Sequence, residues 1–270
     1  MNRGNVSERR HEPPQVGVTS VILALEPARE HGRRRLWLPL VRRVREPFLG
    51  QWALPGGPLR ADRSLEQSAY ETLASTTDLR PRYLEQLYTF GDPARSHGGV
   101  PMVSVCYWAL VGQADVAQLE PRHNVQWFAD DDLPPLAFDH RAIVDYALWR
   151  LRHRMDSPRV VRQLVGEPFT LRQLHALTEA IRGERVDVAN YRRRMLASGL
   201  LEETGGVLRE GRQRPAALYR FRPGALDDAG APWLPAGCEG EQLEHMNTAP
   251  ERASADDNPL GSLTTALLHD

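Results

Sequence analysis

The sequence predicts an α/β sandwich followed by a smaller module of three helices and a β-hairpin. Short Val-, Ile- and Leu-rich runs alternate with two helical patterns as far as Asp156, as in a sheet covered by helices. The pattern changes after Pro158, and charge is distributed very unevenly along the 270 residues.

Residues 16–25 and 36–41 are apolar runs separated by a charged turn region, and both read as strands. Leu65, Ala69 and Leu73 recur at helical spacing after Ser64, a good N-cap, and predict a helix over 65–76. Residues 84–90, 102–111 and 125–128 follow as strands, the second alternating through Val103, Val105 and Tyr107. Asp130, Asp131 and Asp132 read as an acidic loop ahead of the next helix, in preference to a metal site. That helix, over 138–154, carries Ile143, Ala147, Leu148 and Leu151 on one face and arginines on the other. His140 reads as a capping or packing residue near its start.

Beyond Pro158 a short helix over 160–165 precedes one over 171–181, capped by Thr170. Asp187 caps a third, over 188–197, which stops at Gly199. Strands over 200–204 and 217–221, joined by a Gly- and Arg-rich connection, complete the outline of a winged helix-turn-helix.

All 34 basic residues are arginine, which excludes Schiff-base chemistry and a phosphate-loop lysine. Genomic composition bias is the plain explanation of that usage. Residues 1–156 hold 20 arginines and 19 acids, residues 157–222 hold 13 and 7, and residues 223–270 hold 1 and 9. A module at +6 beside a neutral one is a nucleic-acid signal, and the Gly-, Pro- and Ala-rich end at −8 reads as a disordered tail. The expected divisions are an arm over 1–13, a domain over 14–156, the basic module over 157–222 and the tail. The polar N-terminal stretch lacks the apolar segment of a signal peptide, and no apolar run approaches the ~20 residues of a membrane span. Cys106 and Cys238 make no disulfide framework, and Cys106 reads as a buried small hydrophobe. A soluble cytoplasmic protein is expected.

The segment from Trp52 to Leu79 resembles the Nudix box: a glycine, five residues, a glutamate, seven residues, Arg-Glu, an apolar residue, any residue, Glu-Glu, any residue, a glycine and an apolar residue. Anchored on Gly57, it aligns without gaps, with Leu73 and Leu79 on the apolar positions. The first glutamate is replaced by Arg63, the arginine by Glu71, and its partner glutamate by Thr72. The Glu-Glu pair is Ser75-Thr76, and the last glycine is Asp78. Cleaving a pyrophosphate needs divalent cations held by carboxylates, and positions 72, 75 and 76 share one helix face. Three hydroxyls stand there and bring no charge. Glu71 lies about 100° away, so it would aim elsewhere. No catalytic residue, metal ligand or cofactor is therefore assigned.

The rest of the frame suits a nucleotide-sugar pocket. Glu46-Pro47-Phe48-Leu49-Gly50 and the run from Leu87 to Arg95 are similar to segments that flank the ligand in ADP-ribose-type Nudix domains. The candidate ligand residues are Trp52, Gly56, Gly57, Glu71, Phe90 and Arg95. Trp52 and Phe90 suit either core packing or stacking, and Arg95 suits a phosphate or a solvated loop. Gly56 and Gly57 would let the backbone turn tightly against a ligand. In the basic module the candidate DNA contacts are Asn190, Arg192, Arg193 and Arg194 on one helix and Arg209, Arg212 and Arg214 in the hairpin. Tyr191 and Met195, four apart, would pack inward.

Together with residues 133–140 (Leu-Pro-Pro-Leu-Ala-Phe-Asp-His), the stretches 190–196 (Asn-Tyr-Arg-Arg-Arg-Met-Leu) and 214–221 (Arg-Pro-Ala-Ala-Leu-Tyr-Arg-Phe) give the chain a resemblance to the Nudix-related transcriptional regulators, the NrtR family, from about Pro14 to Arg222. The resemblance implies a Nudix α/β/α sandwich joined to a winged helix. It also implies a homodimeric repressor on a palindromic operator at genes of NAD metabolism, with ADP-ribose or a related metabolite as effector. The rival readings are an active ADP-ribose pyrophosphatase with an accessory domain, and a Nudix-derived protein-interaction module.

Overall fold

The computed structural model describes residues 13–27, 34–96, 100–112, 116, 123–155, 157–209 and 215–227. The expected arm, apart from Pro13, and the expected tail from residue 228 onward lie outside these.

A mixed sheet forms the first body. Strand β1 (Gln15–Leu25) runs parallel to β6 (Met102–Val111) over ten register pairs, from Gln15↔Met102 to Ala24↔Val111. Its other edge is shared between β4 (Gly56–Pro58) at its start and β2 (Leu36–Arg42) at its end, both antiparallel. Strands β3 (Trp52–Ala53) and β7 (Val125–Ala129) pair with β2, and β5 (Tyr83–Phe90) pairs with β6. Two- and three-residue strands made of Trp, Ala, Gly and Pro show no period-2 pattern, so β3 and β4 are invisible in the sequence.

Among the described residues each face of the sheet is covered by a long helix. Val21, Leu23 and Leu25 of β1 pack with Leu36, Leu38 and Leu40 against α2 (His140–His153), through Ile143, Ala147 and Leu151. Val18, Ile22 and Ala24 face α1 (Leu65–Thr77), through Ala69 and Leu73. Strand β1 is thus buried on both sides, which its unbroken apolar run requires. Ser64 caps α1 in a full capping box with Gln67.

The second body is a winged helix. Helices α3 (Pro158–Val165), α4 (Leu171–Arg182) and α5 (Val188–Ala197) precede β8 (Leu201–Leu208) and β9 (Ala216–Phe221). Thr170 and Asp187 cap α4 and α5 as the sequence predicts. Phe169, fully buried, exchanges two backbone hydrogen bonds with Tyr219 (2.9 and 2.7 Å) and ties the entry of α4 to the wing. Strand β8 runs four residues past its predicted end. Gly205, at φ 76°, makes room for a bulge between Glu203 and Val207, after which pairing resumes. Residues 223–227, expected in the tail, form a short helix, α6 (Pro223–Asp227), started by a proline whose fixed φ suits a first helical position.

One apolar cluster runs from the sheet through α2 into Val160, Leu164, Leu174, Ile181 and Phe221 of the winged helix. Of the arginines expected on a solvated face of α2, Arg141 is exposed and pairs with Asp145, while those of the last turn bind β5 or cross to the winged helix. Arg150 donates to Leu87 O (2.7 Å) and to Glu85 (3.2 Å), Arg154 lies 3.8 Å from Glu85, and Arg152 donates to Ile181 O of α4 (3.1 Å). No helix among the described residues is long and apolar enough to cross a membrane.

Gly56 stands where β4 meets β1, and a Cβ there would lie 2.8 Å from Val18 O. At Gly57 it would meet only the Thr72 side chain, at 3.8 Å. Gly56→Ala is expected to cost about 2 kcal/mol of stability by overpacking, and Gly57→Ala less than about 0.5 kcal/mol. Urea unfolding of the two variants checks this; equal losses would contradict it.

Candidate functional site

The six candidate ligand residues are not gathered at one place. Gly57 and Glu71 belong to the α1 side of the sheet, whereas Trp52 and Phe90 pack on the α2 side. Phe90, predicted as a possible stacking surface, is buried edge-on against Tyr88 (5.2 Å) and Tyr146 (6.1 Å), so it is core. Trp52 is half-buried, edge-on to Phe128 at 5.1 Å, and its carbonyl accepts from Ala137 N–H at 2.8 Å. A Cβ at Gly56 would collide with β1, so glycine is required there whether or not a ligand lies nearby.

Arg95 is a correction of another kind. It is buried on a 3-10 turn (Pro93–Ser96), and its Nε and Nη2 donate bidentately to the Asp139 carboxylate, at 2.9 and 3.0 Å. A third donor reaches Phe90 O at 3.0 Å and Met102 O at 3.4 Å. Its fork is used to join the ends of β5 and β6 to the start of α2, leaving little of it for a phosphate.

Glu71 points outward on α1 and forms an ion pair with Arg63. These are the two box positions whose charges are exchanged relative to the Nudix pattern. Beside Glu71, Thr72 faces Gly57, and the Ser75 hydroxyl donates to Thr72 O at 3.1 Å. A face of neutral hydroxyls, one bonded to its own helix, does not fit the divalent cation that the Nudix box holds. Among the described residues no three His, Cys, Asp or Glu side chains converge as a metal site. The acidic loop is occupied similarly: Asp131 accepts from Arg35 at 2.9 Å.

The structure builds a further corner from residues 46–50, which sequence similarity places beside the ligand, and residues 133–140, which carry part of the family resemblance. Phe48 and Phe138 both have left-handed backbones, at φ 66° and 56°, and their rings meet edge-on at 4.8 Å. Arg43 lies 4.6 Å above the Phe138 ring, and its Nε donates to Pro47 O at 2.8 Å. Burial lowers the Arg43 pKa. Positive φ at an aromatic residue costs about 1–3 kcal/mol, and such strain concentrates at ligand clamps. No sequence signal marks it, because backbone strain at a phenylalanine leaves no pattern. Behind this corner His140 is buried, and its Nδ1 accepts from Leu54 N–H at 2.9 Å. Burial drives its pKa down to about 4.

The candidate nucleic-acid face is coherent. Every residue of α5 is at least partly exposed; Tyr191, edge-on to His175 and bonded through its hydroxyl to Thr178 (2.9 Å), anchors it together with Met195. Arg192, Arg193 and Arg194 are exposed, and Arg193 donates to Asn190 Oδ1 at 3.0 Å. Arg209 is exposed beyond β8, while Arg212 and Arg214 lie outside the described residues.

Residues 161–221 match the NrtR DNA-binding winged helix domain. Over 199 residues the chain is 34% identical to the ADPR responsive transcriptional repressor NtrR of Acinetobacter baylyi, covering 72% of this chain and 78% of that repressor. It is 29% identical over 112 residues to the ADP-ribose pyrophosphatase of Methanocaldococcus jannaschii, covering 41% and 66%. The crystal structure of Shewanella oneidensis NrtR complexed with a 27mer DNA is similar at a TM-score of 0.63 and 35% identity, covering 78% of this chain and 95% of that one. The S. oneidensis NrtR structure without DNA gives 0.64 over 78% and 96%.

Because His140 titrates near 4 in the fold and near 6.5 when unfolded, its contribution is intact above pH 6.5 and is lost as pH falls toward 4. The loss is about 3 kcal/mol. Thermal unfolding of the wild type and His140→Asn, which keeps an acceptor without the titration, should diverge across that window. Parallel pH profiles would contradict the assignment.

Proposed function

The chain belongs to the NrtR family of Nudix-related transcriptional regulators, and on that premise we propose that it is an ADP-ribose-responsive repressor of NAD-metabolism genes. The observation that carries this is an arginine-rich α5 with no buried residue, on a winged helix that shares one apolar core with an α/β/α sandwich. The protein acts in the cytoplasm as a homodimer, setting two α5 helices on the half-sites of a palindrome. Asn190 and Arg193 reach base edges or phosphates from α5, with Arg192 and Arg194 beside them and Arg209, Arg212 and Arg214 from the wing. The domains run over 14–156 and 157–222.

The sandwich senses the effector without hydrolysing it, because the face that would hold a divalent cation carries Thr72, Ser75 and Thr76. The Arg43, Phe48 and Phe138 corner, with Trp52 and Gly57 nearby in the chain, supplies an aromatic surface and a cation suited to a nucleotide. An effector bound there changes operator affinity by the same factor by which the operator changes effector affinity.

Three outcomes are expected. In mobility-shift assays at physiological salt, DNA upstream of NAD-metabolism genes binds tightly, and Asn190→Ala costs about 1–3 kcal/mol on that DNA alone. Arg193→Ala weakens binding to all sequences and lowers the salt slope by about 1. Calorimetry detects ADP-ribose binding, weakened about tenfold by Phe48→Leu, while millimolar magnesium yields no AMP. Equal affinity for random DNA would sink the repressor reading, and magnesium-dependent turnover would restore the hydrolase.

A further inference from the structure

Behind α5 lies a hollow of about 470 Å³ walled by Val161, Leu174, Met195 and Phe221, with Arg182 and Arg194 also lining it. Both arginines are exposed. The winged helix pairs some of its arginines internally, Arg162 with Glu167 at 2.8 Å and Arg220 with Glu202. Arg182, Arg192, Arg193 and Arg194 have no such counter-charge among the described residues. An apolar hollow beside uncompensated arginines suits a partner that is both acidic and apolar.

The sequence supplies one on the same chain. Strand β9 ends at Phe221, a wall of the hollow, and α6 ends only six residues later at Asp227. Residues 223–270 carry nine acids against one arginine. Within them Trp233, Leu234, Leu243 and Met246 alternate with Glu239, Glu241 and Glu244. Residue 233 follows Asp227 by six residues, a contour of at most about 20 Å, so the segment is tethered beside the hollow at high local concentration.

We infer that residues 233–246 dock across the hollow and the α5 arginines, competing there with nucleic acid. This rests on the reading of α5 as the DNA-contacting helix. The segment screens the same arginines that would neutralise phosphates, so it suppresses the salt-dependent, sequence-independent part of binding first. Specific DNA, with base contacts added, displaces it.

Cys238 lies inside the segment, and Cys106 is fully buried with its thiol pKa raised, so a nitroxide can be attached to the full chain at Cys238 alone. At about 50 mM salt the label should quench amide signals of α5 and Phe221, and about 0.5 M salt or duplex DNA should restore them. A full-chain variant carrying E239Q, E241Q and E244Q should bind random DNA about tenfold more tightly at low salt and equally at high salt. Quenching elsewhere, or none, overturns the docking. Quenching only between differently labelled molecules assigns the hollow to a second copy and overturns it also. Unchanged DNA affinity of the variant overturns the competition. If α5 is quenched but neither protein binds any DNA, the docking stands and the DNA-binding reading fails.

Discussion

The structure depends most on how α2 is held. Its inner face closes the sheet's main core, and both of its ends are fixed by charged groups drawn from elsewhere in the fold. At its start, Asp139 grips Arg95, and His140 takes the Leu54 amide. At its end, Arg150 and Arg154 converge on buried Glu85, to which Tyr83 also donates, while Arg152 crosses to α4. Removing one partner of such a buried ionic cluster leaves the others uncompensated, which makes the arrangement a strong constraint on orientation even where its net stabilisation is small. Any change at the Phe138 corner therefore acts on the first turn of a helix whose last turn touches the DNA-binding module.

The Nudix frame has been retained for its shape. Gly56 is required because β4 lies on β1 too closely for a Cβ, a demand that exists with or without a ligand. The box loop is joined to α1 by the ion pair of Arg63 with Glu71, the two positions whose charges are exchanged relative to the box. Exposed pairs of this kind contribute little energy.

In a chain whose basic residues are all arginine, the fold sorts them by what they touch. Arg35, Arg95, Arg150 and Arg152 hold carboxylates or backbone carbonyls inside the structure. Arg192, Arg193 and Arg194 stand outside it on a helix with no buried residue. A planar fork that can bind two acceptors at fixed angles suits both tasks, which is why one residue type can serve the core and the DNA face.

Local pattern was sufficient for much of this protein. The caps at Ser64, Thr170 and Asp187, the double-faced burial of β1, the amphipathic α2 and the inward Tyr191 and Met195 follow from side-chain periodicity and hydrogen-bonding chemistry that neighbours in sequence supply. The missing box carboxylates and the basic module with its exposed helix were equally legible. What the tertiary structure alone decided concerns partners distant in sequence. Phe90 belongs to the core because Tyr146 comes from another element, and Arg95 is a clamp because Asp139 lies 44 residues away. Strands β3 and β4 exist only through β2 and β1. Phe48 and Phe138 form a corner only because two chain segments force both backbones into the left-handed region. Periodicity reports which face of an element is apolar; it carries no information about which polar group, brought from elsewhere by the fold, will occupy a given arginine.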